Sequence, residues 1–110
     1  MTISWTDFEK IDIRTGTILE VTEFPEARRP AYKMKIDFGE FGIKNSSAQI
    51  TSHYSPDALK GVQVVAIVNF PPKQIGKFLS ECLVLGVYTS DKEVILLQPG
   101  SKVSNGLKIG

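Results

Sequence analysis

One cysteine and one histidine in 110 residues leave little of the reactive chemistry a protein can carry. Cys82 alone cannot close an internal disulfide, which points to a reducing, cytoplasmic setting. With His53 the only imidazole, a metal site would have to rest on carboxylates, and these are scattered without ligand spacing. Cys82 and His53 could in principle pair as nucleophile and base. Cys82, however, falls in an apolar strand-like run, where a thiol is usually buried and inert. A phosphate-cradling glycine loop, a serine elbow and a dinucleotide fingerprint are all missing. No enzyme, metal or cofactor is therefore expected. The apolar runs fall far short of the roughly 20 residues a membrane helix needs. The N-terminal stretch through Glu9 lacks the basic-then-apolar form of a secretory signal. Low-complexity tracts and internal repeats are absent as well.

Net charge is small, at +1, but unevenly spread. Residues 1–27 hold two bases against six acids, residues 28–80 eight bases against three acids, and the remainder balances. A positive middle with an acidic flank is what an anion-binding face needs, although a merely solvated surface gives the same count. The 42% hydrophobic and 23% charged fractions belong to an ordinary globular chain. At this length residues 1–110 are expected to form a single domain.

Turn signals at short intervals separate many short strands. Thr6-Asp-Phe-Glu9 has the form of a capping box and predicts one helical turn, leaving Trp5 and Phe8 free to pack. Ile13 to Val21 is rich in β-branched residues and reads as a strand, with a bulge or sharp coil expected at Gly16. After a proline-bounded loop, Ala31 to Phe38 alternates: Tyr32, Met34, Ile36 and Phe38 take one side of the pleat, and Lys33, Lys35 and Asp37 the other. Ile43 to Ile50 predicts an unusually polar third strand carrying Lys44, Ser46, Ser47 and Gln49. A short helix is expected within 51–59. Gln63 to Phe70 and Glu81 to Val87 read as buried strands, and Glu93 to Leu97 as another. The pattern predicts an all-β, five-stranded Greek-key barrel of the oligonucleotide-binding (OB-fold) type, with its one helix between the third and fourth strands.

Between the two most apolar runs lies Asn69-Phe-Pro-Pro-Lys-Gln-Ile-Gly-Lys-Phe-Leu-Ser-Glu81, read as a rim loop on a rigid sheet. Such loops usually carry binding. Lys73 and Lys77 suit phosphates, which they would hold without reading sequence. Phe78 suits stacking on a base or peptide, or anchoring the loop. Asn69 could pair with a base edge or with loop backbone. Arg14, inside Asp12-Ile-Arg-Thr-Gly16, reads as a structural partner of a nearby acid, and Arg28 and Arg29 rest on charge alone.

Asp12-Ile-Arg-Thr-Gly16, Phe24-Pro-Glu-Ala27, Tyr32-Lys-Met-Lys-Ile-Asp-Phe-Gly39, Ser47-Ala-Gln-Ile-Thr51, Val68-Asn-Phe-Pro-Pro-Lys73 and Ser80-Glu-Cys-Leu-Val-Leu-Gly86 together resemble the tRNA-binding-domain proteins. The likeness is greatest to their small stand-alone CsaA-type branch, and related domains are appended to some methionyl- and phenylalanyl-tRNA synthetases. The resemblance implies an OB barrel whose terminal extensions build a two-fold dimer, and tRNA recognition by shape more than sequence. It also implies a second possibility, a chaperone or export role toward unfolded polypeptides. Carried over by position, residues 69–80 are the central contact region, joined by Lys33 and ending at Ser80. Cys82 and Leu83 stand where the synthetase-appended domains usually have glycine and methionine, a departure that favours the CsaA branch.

Two functions are therefore expected to compete. In one, a homodimer binds structured RNA, most plausibly tRNA, in a basic groove of Lys33, Lys35, Lys44, Lys73 and Lys77, with Ser46, Ser47, Gln49, Asn69, Phe78 and Ser80 around it. In the other, the same concavity holds extended unfolded segments, with Phe24, Phe41, Phe70 and Phe78 supplying apolar contact and main-chain edges accepting a strand.

Overall fold

The alternation after Pro30 becomes the centre of a curled antiparallel sheet. In the computed structural model, which describes residues 1–110, β1 (Ile13–Glu23) pairs with β2 (Tyr32–Asp37), and β2 pairs with β3 (Ile43–Ala48). On its other side the first half of β1 pairs with β4 (Gln63–Ile67), and β4 continues to the two-residue β7 (Leu83–Val84). The sheet order is β3-β2-β1-β4-β7. Tyr32, Met34, Ile36 and Phe38 all point inward and are buried, as the period-two pattern requires. They join Ile18, Ile50, Val64 and Ala66 in the core, where each buried Ile, Val, Met or Phe side chain contributes on the order of 1.5–3 kcal/mol relative to exposure.

The outer edge of β3 does not stay open. Glu81 N donates to Asn45 O at 2.8 Å, and Asn45 N donates to Glu81 Oε1 at 3.0 Å. Ser46 Oγ donates to Cys82 O at 3.0 Å. These bonds bring the last core strand back against the third, giving the nearly closed, all-β, OB-like barrel. The helix α2 (Pro56–Leu59) lies between β3 and β4, capped by Ser55, with Leu59 fully buried in the core. The C-terminal segment returns alongside β1: Gly106 N donates to Thr15 O, Thr15 N to Leu107 O, and Ile109 N to Ile13 O.

Local details depart from the sequence reading, each for a physical reason. Helix α1 (Trp5–Glu9) is capped by Ser4, not Thr6: Ser4 Oγ accepts from Asp7 N, and Asp7 Oδ2 accepts from Ser4 N. The box begins two residues early because Ser4 holds the extended backbone that a capping residue needs. Gly16 makes no bulge; the register slips between Ile18 and Glu20 instead. Gly16 supplies space, since a Cβ there would sit 2.7 Å from both Ile36 Cγ2 and Phe38 Cε1. The short helix or helical turn expected around 51–59 is present at its end, as α2.

The run from Glu81 to Val87 is neither one strand nor fully buried. It changes partner at Leu85, from β4 to a separate hairpin of β8 (Gly86–Tyr88) and β9 (Val94–Leu96), which leaves Leu83 and Val87 exposed. Residues 69–81 form no irregular loop either. β5 (Lys73–Ile75) and β6 (Phe78–Ser80) make a tight hairpin around Gly76-Lys77, with Gly76 at φ +60°. A glycine at positive φ in the first turn position suits the twist of a two-residue hairpin.

Because the Gly16 position has no room, Gly16→Ala should cost about 1–3 kcal/mol through overpacking. A thermal melt should show the midpoint lowered by roughly 4–8 °C per kcal/mol. An unchanged midpoint would contradict the close contact with Ile36 and Phe38.

Candidate nucleic-acid interface

Register decides which polar side chains share a face. Lys33 lies opposite Ser47 on β3 and Thr22 on β1; Lys35 lies opposite Asn45 and Glu20. Directly paired residues point to the same side, so these six line the outer face of the sheet. The Lys35–Glu20 contact, at 3.9 Å between exposed side chains, contributes little to stability.

The hairpin is fastened over this face by an aromatic cluster. The rings of Phe24 and Phe78 meet edge-on with centroids 5.3 Å apart, and Lys33 Nζ lies 5.2 Å from the Phe24 centroid and 5.9 Å from that of Phe78. A cation over two ring faces is worth about 0.5–2 kcal/mol depending on exposure. Phe78 is half-buried and Phe24 buried, so Phe78 anchors the hairpin while keeping part of its ring accessible. Beside it is a recess of about 260 Å³ with Lys33, Lys35, Asn45 and Phe78 on its wall.

A larger groove of about 900 Å³ runs between the end of β3, the β5–β6 hairpin and the β8–β9 hairpin. It gathers Ser47, Gln49, Lys73 and Ser80 from the sequence candidates. Ser80 Oγ accepts from Ser47 N at 3.3 Å, which ties the groove wall to the basic face. Ser47 is thus shared: its register places it beside Lys33, and its side also borders the groove.

Other candidates are placed elsewhere. Lys77 sits exposed at the hairpin tip and lines neither concavity. Lys44 pairs with Ile36, on the pleat side opposite Lys33 and Lys35. Ser46 has no exposed surface, and its hydroxyl is committed to the Cys82 carbonyl. Asn69 is a fastener: its Oδ1 accepts from Asp12 N at 2.9 Å, and its Nδ2 donates to Lys10 O at 2.7 Å, fixing the N-terminal segment to the end of β4. Arg14 takes the structural place expected of it, with Nε 2.7 Å from Asp12 Oδ1 and its guanidinium 4.4 Å above the Phe41 ring.

Sequence reasoning left out Tyr88 and Lys92, which the β8–β9 hairpin carries to the groove, and used Phe70 only as an apolar contact. The turn composition Thr89-Ser-Asp-Lys92 was the only available signal for that hairpin.

Burial pushes the Cys82 thiol from 9.0 up to about 11, the Ser46 hydrogen bond and Lys44 acting weakly in the other direction. His53 Nδ1 faces Glu93 Oε2 at 3.4 Å and its ring meets Tyr54 edge-on. No cluster of three or more His, Cys, Asp or Glu side chains could hold a metal ion.

A nearly closed small barrel with a basic, aromatic-edged outer face defines an OB-type binding domain. The family described as "Putative tRNA binding domain" matches residues 13–108, and the chain belongs to that family. It is similar to the methionine–tRNA ligase of Porphyromonas gingivalis, 34% identical over 107 residues, a stretch covering 97% of this chain and 15% of that protein. The chain thus spans about 15% of the length of such curated relatives. Among solved structures it is similar to the chaperone CsaA of Bacillus anthracis, at 50% identity, full coverage of both chains and a TM-score of 0.95. The CsaA chaperone protein of Picrophilus torridus is 55% identical, with 99% of this chain and 100% of that one covered and a TM-score of 0.93.

The Cys82 environment makes a pH prediction. The thiol binds its proton more tightly folded than unfolded, so its contribution to stability is complete below about pH 9 and lost as pH rises toward about 11. Chemical denaturation across that window should lose about 2–3 kcal/mol more in the native protein than in Cys82→Ala. Parallel pH curves for the two proteins would refute it.

Proposed function

We propose that the chain is a non-catalytic tRNA-binding module, acting as a homodimer and holding structured RNA mainly through phosphate and shape contacts. The observation that carries this reading is the placement of Lys33 and Lys35 side by side on one sheet face, with Lys73 across the adjoining groove. Cations grouped this way neutralise several phosphates at once and release their counterions, which gives affinity without sequence reading. Family membership supports tRNA as the RNA concerned. Residues 1–110 act as one domain in this proposal, and the lone buried thiol and the synthetase relatives suit a cytoplasmic setting.

Titration of tRNA against salt tests the proposal. Affinity should fall steeply as salt rises, and Lys35→Glu or Lys73→Glu should weaken binding about tenfold and lower the salt slope by roughly one. Negligible binding at low salt, or indifference to both reversals, would end it.

The dimer rests on apolar side chains that the barrel leaves outside: Ile3 and Trp5 on the N-terminal segment, 65% and 86% exposed, with Leu97 and Leu107 toward the other end. Burying such groups against a second copy satisfies them without enlarging the core. Light scattering at micromolar concentration should return twice 12.1 kDa, and Trp5→Glu should return the monomer mass. A monomer in the native protein would refute the dimer.

A second reading has its own support. The similar solved proteins of Bacillus anthracis and Picrophilus torridus are chaperones, and Phe70 and Leu83 line the groove with exposed apolar surface. On that reading the groove holds unfolded polypeptide, the chain suppresses aggregation of a model substrate, and tRNA competes with it.

A further inference from the structure

The basic face carries a carboxylate of its own, which phosphate binding alone leaves unexplained. Glu20 lies directly opposite Lys35, with its Oε2 3.9 Å from Lys35 Nζ. A polyanion settling on Lys33 and Lys35 meets that negative charge as repulsion.

An irregularity of the strand puts the acid there. Ile18 pairs with Ile36 and Glu20 with Lys35, so Leu19 is left without a partner in β2. In an unbroken ladder Leu19 would oppose Lys35, and Glu20 would oppose Met34, whose side chain is buried in the core. A slip of one residue sends every later side chain to the other face. Here it turns Val21 inward, where it is 7% exposed, and Glu20 outward beside Lys35. Such bulges bend a strand and re-aim a side chain. Barrel curvature accounts for the bend, but any polar residue would satisfy the outward position.

The surroundings of Glu20 show what it can read. With Thr22 it shares the wall of the 260 Å³ recess with Lys33, Lys35, Asn45 and Phe78. The Glu20–Lys35 separation is too long for a hydrogen bond, and the Lys35 and Glu20 side chains are 57% and 64% exposed, so the carboxylate keeps lone pairs for an outside donor. Asn45 uses its backbone N and O in barrel closure, and its side-chain amide takes no part in those bonds.

An acceptor beside a phosphate-binding ammonium matches one feature of an RNA backbone. The ribose 2′-hydroxyl is a donor on the carbon next to the one that bears the 3′-phosphate. DNA lacks that donor, and the carboxylate then has nothing to offset its repulsion. This hydroxyl is what lets a protein tell the two polymers apart at a given site. A lysine side chain of a bound polypeptide would suit the carboxylate but be repelled by the two ammonium groups near it.

We propose that Glu20 selects RNA over DNA, its carboxylate accepting from a ribose 2′-hydroxyl while Lys35 takes the adjoining phosphate. The inference rests on the RNA-binding reading above and deepens it. The lysines supply affinity for any polyanion, and the acid withholds it from one that lacks the hydroxyl.

Binding of one tRNA sequence in three chemistries tests it: the RNA, the same strand with 2′-O-methyl ribose, and the same strand as DNA. The methyl group removes the donor while keeping the ribose pucker of RNA, which separates the hydroxyl from helix shape. The native protein should bind the RNA about tenfold more tightly than either other strand, the size of one hydrogen bond to a charged acceptor. Glu20→Ala should bind the methylated strand and the DNA about twofold to fivefold more tightly at low salt, because one like charge is gone. In the same variant the ratio of RNA to methylated RNA affinity should fall to about one, the coupling that a double-mutant cycle isolates. Glu20→Gln, which retains an acceptor, should keep part of the preference. Circular dichroism should show native folding for both variants, since this side chain lies mostly in solvent. A merely solubilising carboxylate would give Glu20→Ala the same gain for every strand and leave the ratio untouched, and that result overturns the proposal. Equal binding of RNA and its methylated form by the native protein overturns it too, while the RNA-binding reading stands. If the tRNA itself does not bind at low salt, both fail.

Discussion

The reciprocal pairing of Asn45 with Glu81 is the contact on which the rest of the molecule depends. Two hydrogen bonds between them, backed by the buried Ser46 hydroxyl on the Cys82 carbonyl, turn a five-stranded sheet with two open edges into a nearly closed barrel. Closure does more than satisfy backbone groups. It fixes where β6 ends and β7 begins, and so brings the β5–β6 hairpin down beside β3. An unpaired β3 edge would invite association with other chains. Here the edge is consumed within the molecule, and the surface beside it becomes the wall of a groove.

Built on that closure, the basic face is a compromise between fastening and exposure. Lys33 is held by Phe24 and Phe78 and helps dock the hairpin, while Lys35, one pleat repeat along, is free toward solvent apart from a weak contact to Glu20. Ser80 likewise joins the hairpin to Ser47. A positioned cation would cost less conformational entropy on binding the proposed RNA than a mobile one. Cys82 is buried at the closure point and protonated far above neutral pH, and His53 is turned toward Glu93.

Much of the barrel could be read directly. The alternation from Tyr32 to Phe38 gave the inward and outward faces of β2 residue by residue, and β-branched richness marked β1. Polar side chains marked β3, and the helix fell between the third and fourth strands. Misreadings arose where local pattern was a poor guide to partners. Gly16 resembled a bulge because glycine is rare inside strands, whereas its reason lies across the sheet in the side chains of Ile36 and Phe38. The apolar stretch from Cys82 to Val87 resembled one buried strand, because hydropathy carries no mark of a strand that switches partner at Leu85. The capping box was read at Thr6, and the extended backbone places the cap at Ser4.

Side-chain type and spacing settled that this would be a small β-barrel, and that lysines would lie along one side of β2, since a period of two needs nothing beyond neighbouring residues. Which polar groups reach solvent together was decided by long-range pairing. Asn69 went to Lys10 and Asp12, and Ser46 to Cys82, while Phe70, Tyr88 and Lys92 met Lys73 around one groove. Most of those partners lie far apart along the chain, and a hydrogen-bonding side chain has no local feature that tells a ligand contact from an internal bond. Only the closed barrel, by bringing distant segments within bonding distance, makes that distinction.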